Sequence, residues 1–142
     1  DRLKVIASQY KIRAYASVPI DRDMLANAID ESDAGILVRF SIGREWWTKP
    51  IEPLRAPKNA ISGHATITTN YDGNSFRIAN TWGDDWADNG TAYHLLDTYK
   101  PTEAWIVYYN QIPQHVEKQL TEREEILGKI KDLLQSLLKL LA

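Results

Sequence analysis

The stretch Ser62-Gly63-His64-Ala65-Thr66-Ile67-Thr68-Thr69-Asn70-Tyr71-Asp72-Gly73-Asn74-Ser75-Phe76-Arg77-Ile78-Ala79-Asn80 decides how the chain is read. A histidine enters an apolar, β-branched run from Ala65 to Thr69. A Tyr71-Asp72-Gly73-Asn74 turn follows, and a second run from Ser75 to Ala79 ends on an asparagine. Two strands joined by a short Asp-Gly turn read as a hairpin, so residues distant in number face each other across it. The pattern predicts that His64 and Asn80 are neighbours in space.

That pairing has a chemical use. An imidazole acts as a general base only when its tautomer and orientation are fixed. A side-chain amide oxygen accepting from one ring N–H fixes both without adding a charge. Histidine and asparagine are the two supporting members of a thiol-type catalytic triad, and the third member is absent because the chain has no cysteine.

Further on, Asn80-Thr81-Trp82-Gly83-Asp84-Asp85-Trp86 leads to Asn89-Gly90-Thr91-Ala92-Tyr93. Together with Ser62-Gly63-His64-Ala65, these segments resemble the His and Asn motifs of papain-like cysteine peptidases. In that family an Asn-Ser-Trp-Gly element is followed by Gly-Trp-Gly and Asn-Gly, then by a strand containing tyrosine. Asn80, Trp82, Gly83, Trp86, Asn89 and Gly90 are kept, whereas Thr81 replaces the serine and Asp85 and Ala87 replace the glycines flanking Trp86. Order and spacing carry the signal, since each piece alone is weak.

The resemblance covers Tyr10 to Tyr109. It implies an α+β fold: the C-terminal half of the family's two-part fold, an antiparallel, partly closed β-barrel with one short helix. It implies that His64 takes and returns a proton and that Asn80 orients it. Ser62, Gly63 and Ala65 would flank substrate, and Trp82 would shield the His–Asn hydrogen bond and border the primed side of the cleft. The Cys-bearing half, with the glutamine of the oxyanion hole, would lie before Asp1. It is therefore the expected partner, and the chain alone is expected to be inactive. The competing expectation is a papain-like barrel that no longer catalyses and serves as an assembly module.

Composition sets wider bounds. At 142 residues, 44% hydrophobic and 25% charged, the chain is long enough for one domain with a real core. A formal net charge of −2 gives no electrostatic argument for nucleic acid. Zero cysteines exclude disulfides and thiolate metal sites. No apolar run reaches the ~18 residues of an ordinary transmembrane helix. No cofactor is expected and no metal: Asp84, Asp85, Asp88 and Asn89 lack the alternating ligand spacing of an EF-hand loop and read as a solvated turn. His94 and His115 read as ordinary residues.

Outside the motif, Val5-Ile6-Ala7 and Tyr10 to Tyr15 are strand-like runs, and Asp21 reads as the N-cap of a short helix ending at Asp30. Gly35 to Ser41 reads as a buried strand, and Thr91 to Leu96 and Glu103 to Tyr109 as two more. In the loop from Ile42 to Ile61, Trp46-Trp47 cover a core edge, with a substrate platform as the sharper alternative.

The tail differs in kind. Thr121 and Glu124 match a capping box, and Leu127, Ile130, Leu134, Leu137 and Leu141 step by three and four, with Leu120 extending the seam backwards. Ile126, Leu133, Leu138 and Leu140 widen it. The expected organisation is a barrel over 1–109, a linker with Pro113 over 110–120, and an amphipathic helix over 121–142. That helix is expected to join copies of the chain into a trimer or larger bundle. Lys129, Lys131 and Lys139 leave a membrane-surface helix as the weaker alternative.

Overall fold

The computed structural model describes residues 11–32, 34–48, 50, 52–109 and 114–140. The Val5-Ile6-Ala7 run, Tyr10, Pro113 and Leu141 lie outside these, as do the side chains of His115, Leu120, Lys139 and Leu140.

Strand β1 (Ala14–Ser17) precedes helix α1 (Arg22–Glu31). Strands β2 (Ile36–Ile42), β3 (Ser62–Tyr71), β4 (Phe76–Ala79), β5 (Thr91–His94) and β6 (Glu103–Tyr108) follow, and helix α2 (Gln114–Leu140) ends the described chain. The six strands form one sheet in the order β1-β6-β2-β3-β4-β5. Every pair is antiparallel. The α+β class and the antiparallel sheet are as the sequence predicts.

The sheet is not closed into a barrel, because β1 and β5 are its two edges. The free edge of β5 is occupied by the preceding loop. Leu54 N–H donates to the Tyr93 carbonyl at 2.7 Å, and the Glu52 carboxylate accepts from Tyr93 N–H at 3.2 Å. With those groups satisfied, β5 has nothing left to offer β1.

Alternation along the strands divides the sheet into two faces. Ile36, Val38, Phe40 and Ile42 of β2 are buried, and so are Phe76, Ile78, Ala92, His94, Ala104 and Ile106 from its neighbours. The sequence reads β2 as buried throughout. In the structure it is amphipathic, with Leu37 and Arg39 exposed on the other face.

Helix α1 packs on the buried face through Leu25, Ala28 and Ile29. It starts where Asp21 Oδ1 accepts from the Asp23 and Met24 N–H groups at 3.0 and 3.2 Å, the N-cap the sequence predicts. Gly35 returns the chain to β2 at φ 83, with the Thr68 carbonyl oxygen lying where a Cβ would stand. No other residue fits there.

Helix α2 begins at Gln114, seven positions before the Thr121 capping box, so Thr121 lies inside it. Nothing between Gln114 and Thr121 breaks a helix, and Lys118 pairs with Glu122 at 3.8 Å across the expected boundary. From Thr121 to Leu138 every side chain is exposed.

Candidate active site

The hairpin of β3 and β4 builds the site. Its turn is tied by the Asp72 carboxylate, which accepts from Asn74 N–H, Ser75 N–H and Ser75 Oγ–H at 2.7–2.9 Å. The backbone bonds from Ser75 and then Asn74 hold the Asp72 carboxyl below the ordinary carboxylate range. Gly73 takes φ 93, a conformation that a turn glycine adopts without strain.

Counting from this turn, Tyr71 faces Phe76 and Asn70 faces Arg77, but beyond a bulge at Thr69 the pairs become Thr68 with Ile78 and Ile67 with Ala79. The bulge changes the parity of the pairing. Were Thr69 paired with Ile78 in a regular ladder, Asn80 would stand opposite Ile67, on the face away from His64. With Thr69 bulged out, Asn80 falls opposite Thr66, and Thr66 shares a face with His64.

The consequence is a hydrogen bond of 2.8 Å between His64 Nε2 and Asn80 Oδ1. Its polarity follows from a second contact, because Thr81 N–H donates to the same Asn80 atom at 2.8 Å. That atom is therefore the amide oxygen, and His64 Nε2 carries the proton. The neutral imidazole is thereby fixed as the Nε2–H tautomer, with the Nδ1 lone pair free to accept a proton. Asn80 Nδ2 is buried without an acceptor among the described residues.

Aromatic rings surround this pair. The Trp82 indole lies over the His64 imidazole, centroids 4.4 Å apart and planes tilted by 32°. Trp46, 1% exposed, stands edge-on to His64 at 6.1 Å and to Trp82 at 6.4 Å. Trp86 Nε1–H donates to the Trp46 carbonyl at 2.7 Å, joining the two loops beneath the site. The Trp46-Trp47 pair thus divides: Trp46 is core and Trp47 is exposed. Nothing in the local pattern marks Trp46 as the wall behind a histidine eighteen positions later. Trp47, Trp82, Asp85 and Trp86 line a shallow cavity of about 450 Å³. A larger open groove of about 740 Å³ runs between Arg44, Arg55 and Lys58 over Leu54.

The kept glycines have a backbone cause. Gly83 and Gly90 take φ 90 and 77 in the turns after Asn80, and Asn80 N–H donates to the Gly90 carbonyl at 2.8 Å. Ala87, standing where the family pattern has glycine, takes φ 48. An L-residue pays for that conformation with about 1 kcal/mol or more.

Of the residues placed beside substrate, Ser62 is exposed on the His64 side of β3, and its hydroxyl donates to the Gly63 carbonyl at 3.2 Å. Gly63 and Ala65 alternate to the other face, opposite Ser41 and Arg39. Gly63 lies under the Arg39 guanidinium, where a Cβ would collide with it.

His94, an ordinary residue by sequence, is 1% exposed. Its ring stacks on Phe76 and meets Phe40 edge-on, and its Nδ1–H donates to the Tyr99 carbonyl at 3.0 Å. Burial pushes its pKa down to about 4, opposed in part by the Tyr99 bond. It is a structural histidine. Among the described residues no group of three or more His, Cys, Asp or Glu side chains is arranged to hold a metal ion.

No protein-family model matches the chain, and no curated protein matches it. Solved structures do. Xylellain, a cysteine protease from Xylella fastidiosa, is 25% identical with a TM-score of 0.59, over 74% of this chain and 43% of that one. The Carica candamarcensis cysteine protease CMS1MS2 is 16% identical with a TM-score of 0.58, over 71% of this chain and 51% of that one. The bromelain protease from Ananas comosus is also 16% identical, with a TM-score of 0.51 over 70% and 51% of the two chains. The chain thus spans about half the length, or less, of the proteases it matches. It has the papain-like cysteine protease fold, in the part that forms the C-terminal half of that fold.

Proposed function

We propose that this chain is the His/Asn half of a cysteine peptidase and works only when a Cys-bearing segment, on the same polypeptide or another, completes the cleft. The observation carrying this reading is the His64 Nε2–H bond to Asn80 Oδ1, which leaves Nδ1 free as a base. The buried Asn80 Nδ2 without an acceptor supports it as well. An unsatisfied buried donor costs about 1–3 kcal/mol, a cost tolerated more readily at a working site than in a plain core.

In the reaction proposed, His64 Nδ1 takes the thiol proton as sulfur attacks a peptide carbonyl, forming a C–S bond and an oxyanion. The intermediate collapses with cleavage of the C–N bond, and the imidazolium gives its proton to the departing amine. Water, deprotonated by the same nitrogen, then hydrolyses the thioester. Asn80 holds the ring throughout. Trp82 screens the His64–Asn80 bond from water and borders the cleft beyond the scissile bond, while Ser62 flanks the bound peptide with its side chain and Gly63 and Ala65 with their backbone alone, their Cα substituents facing away from His64.

The test begins with the native mass of the protein isolated from its source and the identification of any Cys-bearing polypeptide in the same species. The assembled protein is expected to cleave a fluorogenic peptide and to be blocked by a cysteine alkylator. His64→Ala is expected to lower kcat by about 10²–10⁴-fold, the usual contribution of a general base. The 142-residue chain alone is expected to show no thiol-dependent turnover. Thiol-dependent cleavage by the pure chain, or a His64→Ala assembly of unchanged kcat, overturns the reading.

A further inference from the structure

We infer that α2 joins three or more copies of this chain into a helical bundle, independently of whether the sheet takes part in catalysis. The helix runs 27 residues, and its described apolar side chains are left exposed by the described residues: Ile130 is 47% exposed and Leu138 67%. Between Ile126 and Leu138 they form a stripe about 18 Å long at 1.5 Å per residue. A continuous apolar surface of that kind on a soluble chain marks a contact site.

The spacing states what fits. In a heptad frame Leu127 and Leu134 take position a, Ile130 and Leu137 take d, and Ile126 and Leu133 take g. A sequence with this repeat is complementary to itself, because each knob meets a hole made by the same residues of a neighbouring copy. Two-stranded coils bury a and d and leave g at the wet margin. Here g is apolar in both described heptads, so each helix has an apolar face three positions wide, the width a bundle core encloses. Leucine at both a positions with isoleucine at the first of the two d positions, Ile130, leans the same way, towards more than two helices.

Charge separates this occupant from lipid. A helix lying on an anionic surface carries a polar face rich in Lys and Arg. From Lys118 to Leu138, however, Lys118, Arg123, Lys129 and Lys131 are balanced one for one by Glu122, Glu124, Glu125 and Asp132. No helix among the described residues is long and apolar enough to cross a membrane.

Sedimentation equilibrium of the full chain tests this. The expected mass is three or four times the 16.2 kDa of one chain. Leu134→Asp combined with Leu137→Asp is expected to return it to the single-chain mass, with the near-ultraviolet circular dichroism of the Trp46, Trp82 and Trp86 cluster unchanged. Lys129→Glu, on the polar face, is expected to leave the assembly intact. A wild-type mass of one or two chains overturns the inference, as does an assembly that survives the double substitution. A single-chain mass with co-flotation on vesicles of phosphatidylglycerol and phosphatidylcholine also overturns it, in favour of lipid. Because mass is read without peptidase activity, the outcome is separable from that of the proposed function.

Discussion

Phe40 in the sheet and Leu133 in α2 are both large apolar side chains, yet one is fully buried and the other 65% exposed. Phe40 has a partner on every side: Trp46, His94 and Tyr99 all lie within 6 Å of its ring centroid. Leu133 has a helical backbone beneath it and no side chain of the sheet above it. The core of the sheet region satisfies its own hydrophobic demand, whereas the helix carries a demand that the described residues leave unmet. A fold can therefore be complete in one part and conditional in another.

The largest expected effect strikes that contrast directly. Phe40→Ala removes a core ring and is expected to cost about 3–5 kcal/mol in urea unfolding. Leu133→Ala, measured at a dilution that keeps the chain monomeric, is expected to change stability by less than about 0.5 kcal/mol. Equal costs at the two positions would abolish the distinction.

Next comes the pH dependence set by His94, the buried titratable ring beside Phe40. Above its unfolded pKa of 6.5 the ring is neutral in both states. As the pH falls towards the folded value of about 4, the unfolded chain takes up a proton that the folded chain refuses, so stability is lost through this window. The loss approaches roughly 3 kcal/mol by pH 4, at about 1.4 kcal/mol for each pKa unit. His94→Gln is expected to flatten the profile of unfolding free energy between those limits, and an unaltered slope would assign the acid sensitivity elsewhere.

The smallest effects form a reciprocal pair. Ala87→Gly relieves a residue at φ 48 in the sheet region and is expected to stabilise it by up to about 1 kcal/mol. Gly128→Ala does the reverse exchange in the middle of α2, where a Cβ meets nothing within 4 Å, and is also expected to stabilise by up to about 1 kcal/mol. Thermal unfolding of the two variants checks both signs. A loss at either position would show that local backbone preference does not govern that region.

What could be read in the sequence follows the same division. The Asp72-Gly73 turn, the Asp21 cap and the approach of His64 to Asn80 are local or nearly local features, and the residues state them outright. The start of α2 was hidden because a capping box is a preference of two residues, which uninterrupted helix-compatible sequence from Gln114 overrides. Trp46 behind the imidazole was hidden because a loop joins it to the site, and loop paths leave no periodicity to count. The open sheet was hidden for a related reason: the groups that cap the edge of β5 come from Glu52 and Leu54, residues in a stretch without strand character.

The bulge at Thr69 limits how this hairpin can change in length. Residues added to or lost from the tip in pairs leave His64 and Asn80 in step, so the turn can lengthen or shorten by even counts at little cost to the site. Gain of one residue in β3 between the turn and the site, with the single bulge kept, puts Asn80 opposite Ile67 and leaves an unaccompanied histidine, whereas loss of the bulged Thr69 gives a regular ladder with Asn80 still opposite Thr66. This segment therefore tolerates the loss of its one unpaired residue better than the gain of another, and a related sequence with a single insertion there should keep the fold and lose the pair.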